Sequence, residues 1–129
     1  MSSPSRVLVV EDDTGTQTLL RKQLTAKGFE VRVANNGLDG LMQLEDALPD
    51  VIVCDMNMPE LDGIGFVKAI KAKSETKQIP VIFLTASNDA RHMVDGINVG
   101  ARFYLTKPFE VNELIWKINR VLGANGGDR

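Results

Sequence analysis

Residues 51–63 read VIVCDMNMPELDG, and the first five of them decide the architecture. Val51, Ile52, Val53 and Cys54 form an unbroken apolar run of strand length. It ends on a carboxylate, Asp55, and then breaks at Met56, Asn57, Met58 and Pro59. A strand apolar on both faces must be covered on both faces, which is the position of an inner strand in a parallel sheet flanked by helices. Two other runs share this character. Residues 6–10 (RVLVV) lead into Glu11, Asp12 and Asp13, and residues 81–84 (VIFL) lead into Thr85, Ala86 and Ser87. Two more runs are mixed. In 30–34 (EVRVA), Glu30 and Arg32 alternate with Val31 and Val33, and 102–106 (RFYLT) sets Arg102, Tyr104 and Thr106 among Phe103 and Leu105. These two read as edge strands.

Helical windows at 14–27, 36–48, 62–73, 90–99 and 110–122 separate the strands. Five strand-then-helix units imply parallel strands joined by right-handed crossovers, hence a doubly wound α/β three-layer sandwich. With the mixed strands outermost, the five-stranded parallel sheet takes the order 2-1-3-4-5, the flavodoxin-like arrangement. Gly28 and Gly100 stand where left-handed C-caps are wanted. Asp13 or Thr14, and Asn88 or Asp89, are N-cap candidates. One domain is expected over 6–122, preceded by a disordered polar lead at 1–5 and followed at 123–129 (GANGGDR) by a flexible tail or linker stub.

The composition narrows the functional classes. A chain of 129 residues has room for one domain and a real hydrophobic core. Hydrophobic residues at 43% and charged residues at 25% are those of an ordinary globule. A net charge of -2 supplies no bulk field towards nucleic acid or anionic lipid. Direct nucleic-acid binding and membrane insertion are therefore not expected. The single cysteine, Cys54, excludes an internal disulfide and a Cys/Cys zinc site, and it reads as core filler. No apolar run reaches the ~20 residues that span a bilayer, and the start lacks a signal-peptide core. The cytoplasm is the expected compartment.

Ligands of such sheets bind beyond the carboxyl ends of the strands, at the switch point between the first and third. Glu11, Asp12, Asp13, Asp55, Thr85 and Lys107 all fall at strand ends on that rim. Like charges about 4 Å apart repel by about 4 kcal/mol at an effective dielectric near 20. Three carboxylates there must raise a pKa or take a cation, and hard oxygen donors favour Mg2+ or Mn2+. Beside such an ion, Lys107 and Thr85 are placed to hold phosphoryl oxygens and Asp55 to be the nucleophile. Each residue has a plainer reading: Asp13 as a helix cap, Thr85 as a turn residue, Lys107 as a solvated charge. Their joint arrival at successive strand ends favours the site.

These residues closely resemble the receiver domain of two-component response regulators, through VLVVEDD, VIVCDMNMPELDG, VIFLTAS and FYLTKPF in family order. The resemblance implies a CheY-like, stand-alone receiver or a fragment of something longer. It implies that Asp55 accepts a phosphoryl group from a sensor histidine kinase or phosphotransfer protein, in a Mg2+-dependent reaction. Asp12, Asp55 and the backbone carbonyl of Asn57 would ligate the metal, with Glu11 acting through water. Glu11 departs from the family's more frequent Asp. Thr85 is implied as the switch hydroxyl, Tyr104 as the switch aromatic turning from solvent towards the core, and Lys107 as the phosphoryl-binding lysine. Lys107–Pro108 would carry a cis peptide. Asn57 and Ser87 would tune dephosphorylation. The surface of the fourth helix, fifth strand and fifth helix would control a downstream protein target or a phosphorylation-dependent homodimer. The chain is thus expected to be a phosphoacceptor switch that assists its own phosphorylation and dephosphorylation, not an enzyme.

Trp116 lies opposite the apolar stripe of the last helix. It reads either as an interface anchor or as a ring lying over its neighbours. A dehalogenase-type phosphohydrolase would share the Asp, Mg2+, Thr and Lys, but its nucleophile usually opens the first strand, and here no acidic metal motif follows Lys107. A flavodoxin-like cofactor binder would not place Glu-Asp-Asp in its first loop, and no G-x-G-x-x-G or Walker loop is present.

Overall fold

The computed structural model describes residues 4–58, 61–86 and 90–126. Strands and helices alternate from end to end: β1 (Arg6–Val10), α1 (Thr14–Ala26), β2 (Glu30–Ala34), α2 (Gly37–Asp46), β3 (Val51–Asp55), α3 (Gly63–Lys71), β4 (Val81–Thr85), α4 (Ala90–Asn98), β5 (Phe103–Thr106) and α5 (Val111–Gly126). All four strand pairings are parallel. The order is β2-β1-β3-β4-β5, with the two mixed strands at the edges as expected. Fold class and strand order are thus those read from the distribution of apolar runs.

The two-residue period of the strands divides the core into two layers. Val7, Val9, Val51, Val53, Ile82 and Leu84 meet Leu20 and Leu24 of α1 and Leu114, Ile118 and Val121 of α5. Leu8, Val10, Ile52, Cys54, Val81 and Phe83 meet Leu44 of α2 and Phe66, Val67 and Ile70 of α3. β3 is buried along its whole length.

The differences from the expected boundaries have local causes. Asn36 and Asp62 are caps, not helical residues: their side chains accept from the N–H groups of Asp39 and Gly65, so α2 and α3 begin one residue later. β3 and β4 each extend one residue further, because Asp55 stays in register with Leu84, and Thr85 with Thr106. β5 starts at Phe103, one residue after Arg102. α5 continues to Gly126, so residues 123–126 are helical where a flexible tail was expected. Once a helix is nucleated, each added residue gains a hydrogen bond, which carries it past the end of the apolar stripe. Gly28 and Gly100 take φ of 94° and 105°, the left-handed conformation that glycine adopts without strain. The N-cap expected at Asn88 or Asp89 lies outside the described residues.

Candidate functional site

β1, β3, β4 and β5 deliver Glu11, Asp12, Asp55, Thr85 and Lys107 to one rim of the sheet. Carboxylate oxygens of Glu11, Asp12 and Asp55 lie within 4.8 Å of one another. Glu11 is 0% exposed and Asp55 5%, while Asp12 is open to solvent. Lys107 reaches into this group. Its Nζ is 3.1 Å from Glu11 Oε1 and 3.7 Å from Asp55 Oδ2. Among the described residues, three acids therefore face one cation. The donor set is hard oxygen with no thiolate or imidazole in the cluster, and it fits Mg2+ or Mn2+.

Backbone geometry holds these carboxylates in place. The N–H of Glu11 donates to the Ala34 carbonyl of β2. Its Oε2 accepts from the N–H of Asp13 at 3.1 Å. Gln17 of α1 spans the Glu11 carbonyl and Asn35 Oδ1. Asp55 Oδ1 accepts from the N–H of Asn57 at 3.2 Å. Burial, reinforced by the charge of Asp55, raises the Glu11 pKa to about 6, against the pull of the Asp13 N–H and of Lys107. Burial also pushes the Asp55 carboxyl up, with Lys107 and the Asn57 N–H opposing. Both shifts reflect first the cost of holding a charged carboxylate away from water, which Lys107 only partly offsets.

Asp13 stands apart from the cluster. It caps α1, accepting from Thr16 N–H at 2.8 Å and Thr16 Oγ1 at 2.7 Å, and those bonds hold its pKa below the usual carboxylate value. Asp13→Ala is expected to cost ~1 kcal/mol in urea unfolding while leaving Mg2+ binding unchanged. A loss of Mg2+ affinity would instead make Asp13 a ligand.

Thr85 is 0% exposed at the end of β4, and its carbonyl accepts from the Lys107 N–H at 2.7 Å. The Lys107–Pro108 peptide is cis. Tyr104 is half-buried, not standing in solvent. Its ring meets Phe83 edge-on at 6.4 Å, and its hydroxyl is buried without a hydrogen-bond partner among the described residues. Burial raises the Tyr104 pKa. A Cβ on Gly96 would stand 3.2 Å from that hydroxyl, so the phenol sits under α4 at its glycine. Cys54 is buried, with a thiol pushed up by burial, and stays a core residue. Trp116 is 56% exposed, yet its ring tilts over Phe103 at 6.4 Å and is flanked by Lys117 and Arg120. Ser87 lies outside the described residues.

Two supporting residues escaped the sequence reading. Gln17 ties β1 to β2 behind Glu11, and nothing in its spacing signals this. Gly63 packs against the Asp55 carbonyl, where an added Cβ would lie at 2.7 Å. The Asp62-Gly63 pair was its signal, a cap followed by a residue that permits close backbone approach.

An Asp at the carboxyl end of the central strand of a five-stranded parallel sheet, between an acid pair and a Thr/Lys pair, defines the class. The response regulator receiver domain model matches residues 7–119, and the chain belongs to that family, the receivers of two-component systems. It is 40% identical over 126 residues to the transcriptional regulatory protein PrrA of Mycobacterium leprae, covering 98% of this chain and 53% of the relative. It is 34% identical over 117 residues to the phosphate regulon transcriptional regulatory protein PhoB of Rhizobium meliloti, covering 91% and 52%. The chain thus spans about half the length of the curated relatives it matches. Among solved structures, the chemotaxis protein CheY4 of Vibrio cholerae superposes with a TM-score of 0.88 at 34% identity, covering 92% of this chain and 99% of that one. The Francisella response regulator 1452 receiver domain gives 0.87 at 32% identity, covering 94% and 98%. No helix among the described residues is long and apolar enough to cross a membrane.

Proposed function

We propose that Asp55 accepts a phosphoryl group from the phosphohistidine of a sensor histidine kinase or phosphotransfer protein, and that the modified chain switches a protein-binding surface. The observation that carries this reading is the placement of the Asp55 carboxylate at one rim with Glu11, Asp12 and Lys107, in a chain of the receiver family. In the transfer, the P–N bond to the donor imidazole breaks as a P–O bond to an Asp55 carboxylate oxygen forms, and the imidazole nitrogen keeps the electron pair. Glu11, Asp12, Asp55 and the Asn57 carbonyl would hold Mg2+, or Mn2+, which when bound supplies positive charge to the phosphoryl oxygens. Lys107 supplies the second positive group, and the Thr85 hydroxyl donates to a phosphoryl oxygen. Asn57 is exposed beside Asp55 and, with Ser87, governs the approach of hydrolytic water.

A product charge near -2 draws Thr85 and Lys107 inward, and Tyr104, packed beneath α4, carries that movement to the face of α4, β5 and α5. A downstream protein or a second phosphorylated copy reads this face, which includes Trp116. The relatives are transcriptional regulatory proteins of about twice this length, so the inferred output is control of transcription. Residues 6–122 contact proteins, not nucleic acid, and act in the cytoplasm. The chain is a switch that assists its own modification and its reversal, with no turnover of a separate substrate.

Incubation with a small acyl-phosphate donor and Mg2+, followed by intact-mass measurement, tests the reading. Wild type should gain one phosphoryl group, and Asp55→Asn none. Equal labelling of the two proteins, or sustained hydrolysis of a phosphomonoester, would overturn it.

A further inference from the structure

The opposite rim of the sheet, where β3, β4 and β5 begin, carries a cleft of about 560 Å³ lined by Pro49, Asp50, Lys71, Lys77, Pro80 and Arg102, with Gln78 and Ile79 completing it. The cleft is shallow and largely open to solvent. Its lining sets three cations against one carboxylate. Lys71, Lys77 and Arg102 have no ion-pair partner among the described residues. The one carboxylate of the lining, Asp50, already accepts the Arg6 N–H at 2.7 Å.

Lys71 is also held in place. Its Nζ donates to the Lys77 carbonyl at 2.9 Å. Its stem crosses Gly100, where a Cβ would approach Lys71 Cε to 3.1 Å. The Lys71 ammonium is desolvated and stands close enough to Arg102 for the two charges to repel, both of which lower its pKa. Three cations against one carboxylate, one of the cations anchored by a backbone carbonyl, leave net positive charge that an anion able to contact several at once would offset.

We infer that this cleft binds a multivalent phosphate anion, a polyphosphate or the phosphates of a nucleotide, between Lys71, Lys77 and Arg102. The Arg102 guanidinium presents a fork suited to two oxygens of one phosphate, while the lysines act as point charges. Pro49, Ile79 and Pro80 form the apolar wall. The site is separate from Asp55, so its test does not depend on the phosphoacceptor reading.

Backbone amide NMR in Mg2+-free, chelated buffer, with tripolyphosphate added, provides the test. The amides of Lys71, Lys77, Gln78 and Arg102 should shift saturably, with those of Glu11 and Asp55 unmoved. Lys71→Gln combined with Arg102→Gln should weaken binding at least about tenfold, since each charged hydrogen bond lost is worth roughly that factor. Arg102→Gln alone guards against misfolding, because the Arg102 side chain makes no hydrogen bond or ion pair among the described residues. It should weaken binding and leave the urea unfolding midpoint unaltered. Equal affinity for tripolyphosphate and ATP would identify a bare polyphosphate site, and tighter ATP binding a nucleotide site; either supports the inference. Linear, unsaturated drift over all surface lysines, or undiminished binding by the double variant, would overturn it.

Discussion

Gly63→Ala is expected to lower the unfolding free energy by about 3 kcal/mol and the Tm by roughly 10 °C, although it places alanine in a helix. Gly63 opens α3, and an alanine there would normally gain about 1 kcal/mol over glycine. Here the added Cβ would sit 2.7 Å from the Asp55 carbonyl oxygen, 2.8 Å from Met56 Cα and 2.9 Å from Phe83 Cε1. The first two are backbone atoms at the end of β3, so relief requires moving the strand end that bears Asp55, or α3, or both. Gly123→Ala in α5 meets nothing within 4 Å among the described residues and should be stabilising by up to about 1 kcal/mol. Urea unfolding of the two variants at neutral pH measures the contrast. A Gly63→Ala midpoint at or above wild type would show that the turn after Asp55 yields freely. If the strand end shifts as expected, acyl-phosphate labelling of Asp55 should also slow in Gly63→Ala and stay unaffected in Gly123→Ala.

The strand order was legible because burial leaves a compositional trace. VIVC and VIFL are apolar on both faces, whereas EVRVA and RFYLT are not, and only the former can lie inside. The strand-end positions of Glu11, Asp12, Asp55, Thr85 and Lys107 followed from that order, since parallel strands all end on one side. What spacing could not convey is contact. Nothing in Glu11 as a letter says that its longer side chain brings Oε1 to 3.1 Å of Lys107 while Asp55 stays at 3.7 Å. Nor does Tyr104 announce that its hydroxyl is sealed under α4, because that depends on Gly96 leaving room for it. Asp13 shows the converse. It lies beside the true cluster, and only the Thr16 bonds separate a cap from a ligand. The last helix outran its apolar stripe because elongation needs hydrogen bonds, not burial.

With divalent ions removed by a chelator, the protein should become more stable as the pH falls from about 7.5 towards 5. Glu11 is the cause. Its folded-state pKa of about 6 lies above the reference value of 4.5, so the folded chain binds the proton more tightly than the unfolded one. The resulting stabilisation is fully present below 4.5 and is lost as pH rises through 6. A difference of that size corresponds to about 1–2 kcal/mol. Burial shifts Asp55 in the same direction. The depressed Asp13 works oppositely, but its contribution is present above the reference value of 3.8 and fades only as pH falls through its lower folded value, below this window. Glu11→Gln should therefore flatten the dependence and raise stability at pH 7.5, where wild type carries a buried charge beside Asp55. Mg2+ should reverse the trend in wild type, because its binding needs the carboxylates deprotonated and so stabilises most at high pH. Urea unfolding at several pH values, with chelator and with Mg2+, separates these cases. A flat wild-type profile in chelator would mean that Lys107 already balances the acids. In that event the need for a divalent counter-charge at this rim, on which the phosphoacceptor reading depends, would lose its physical basis.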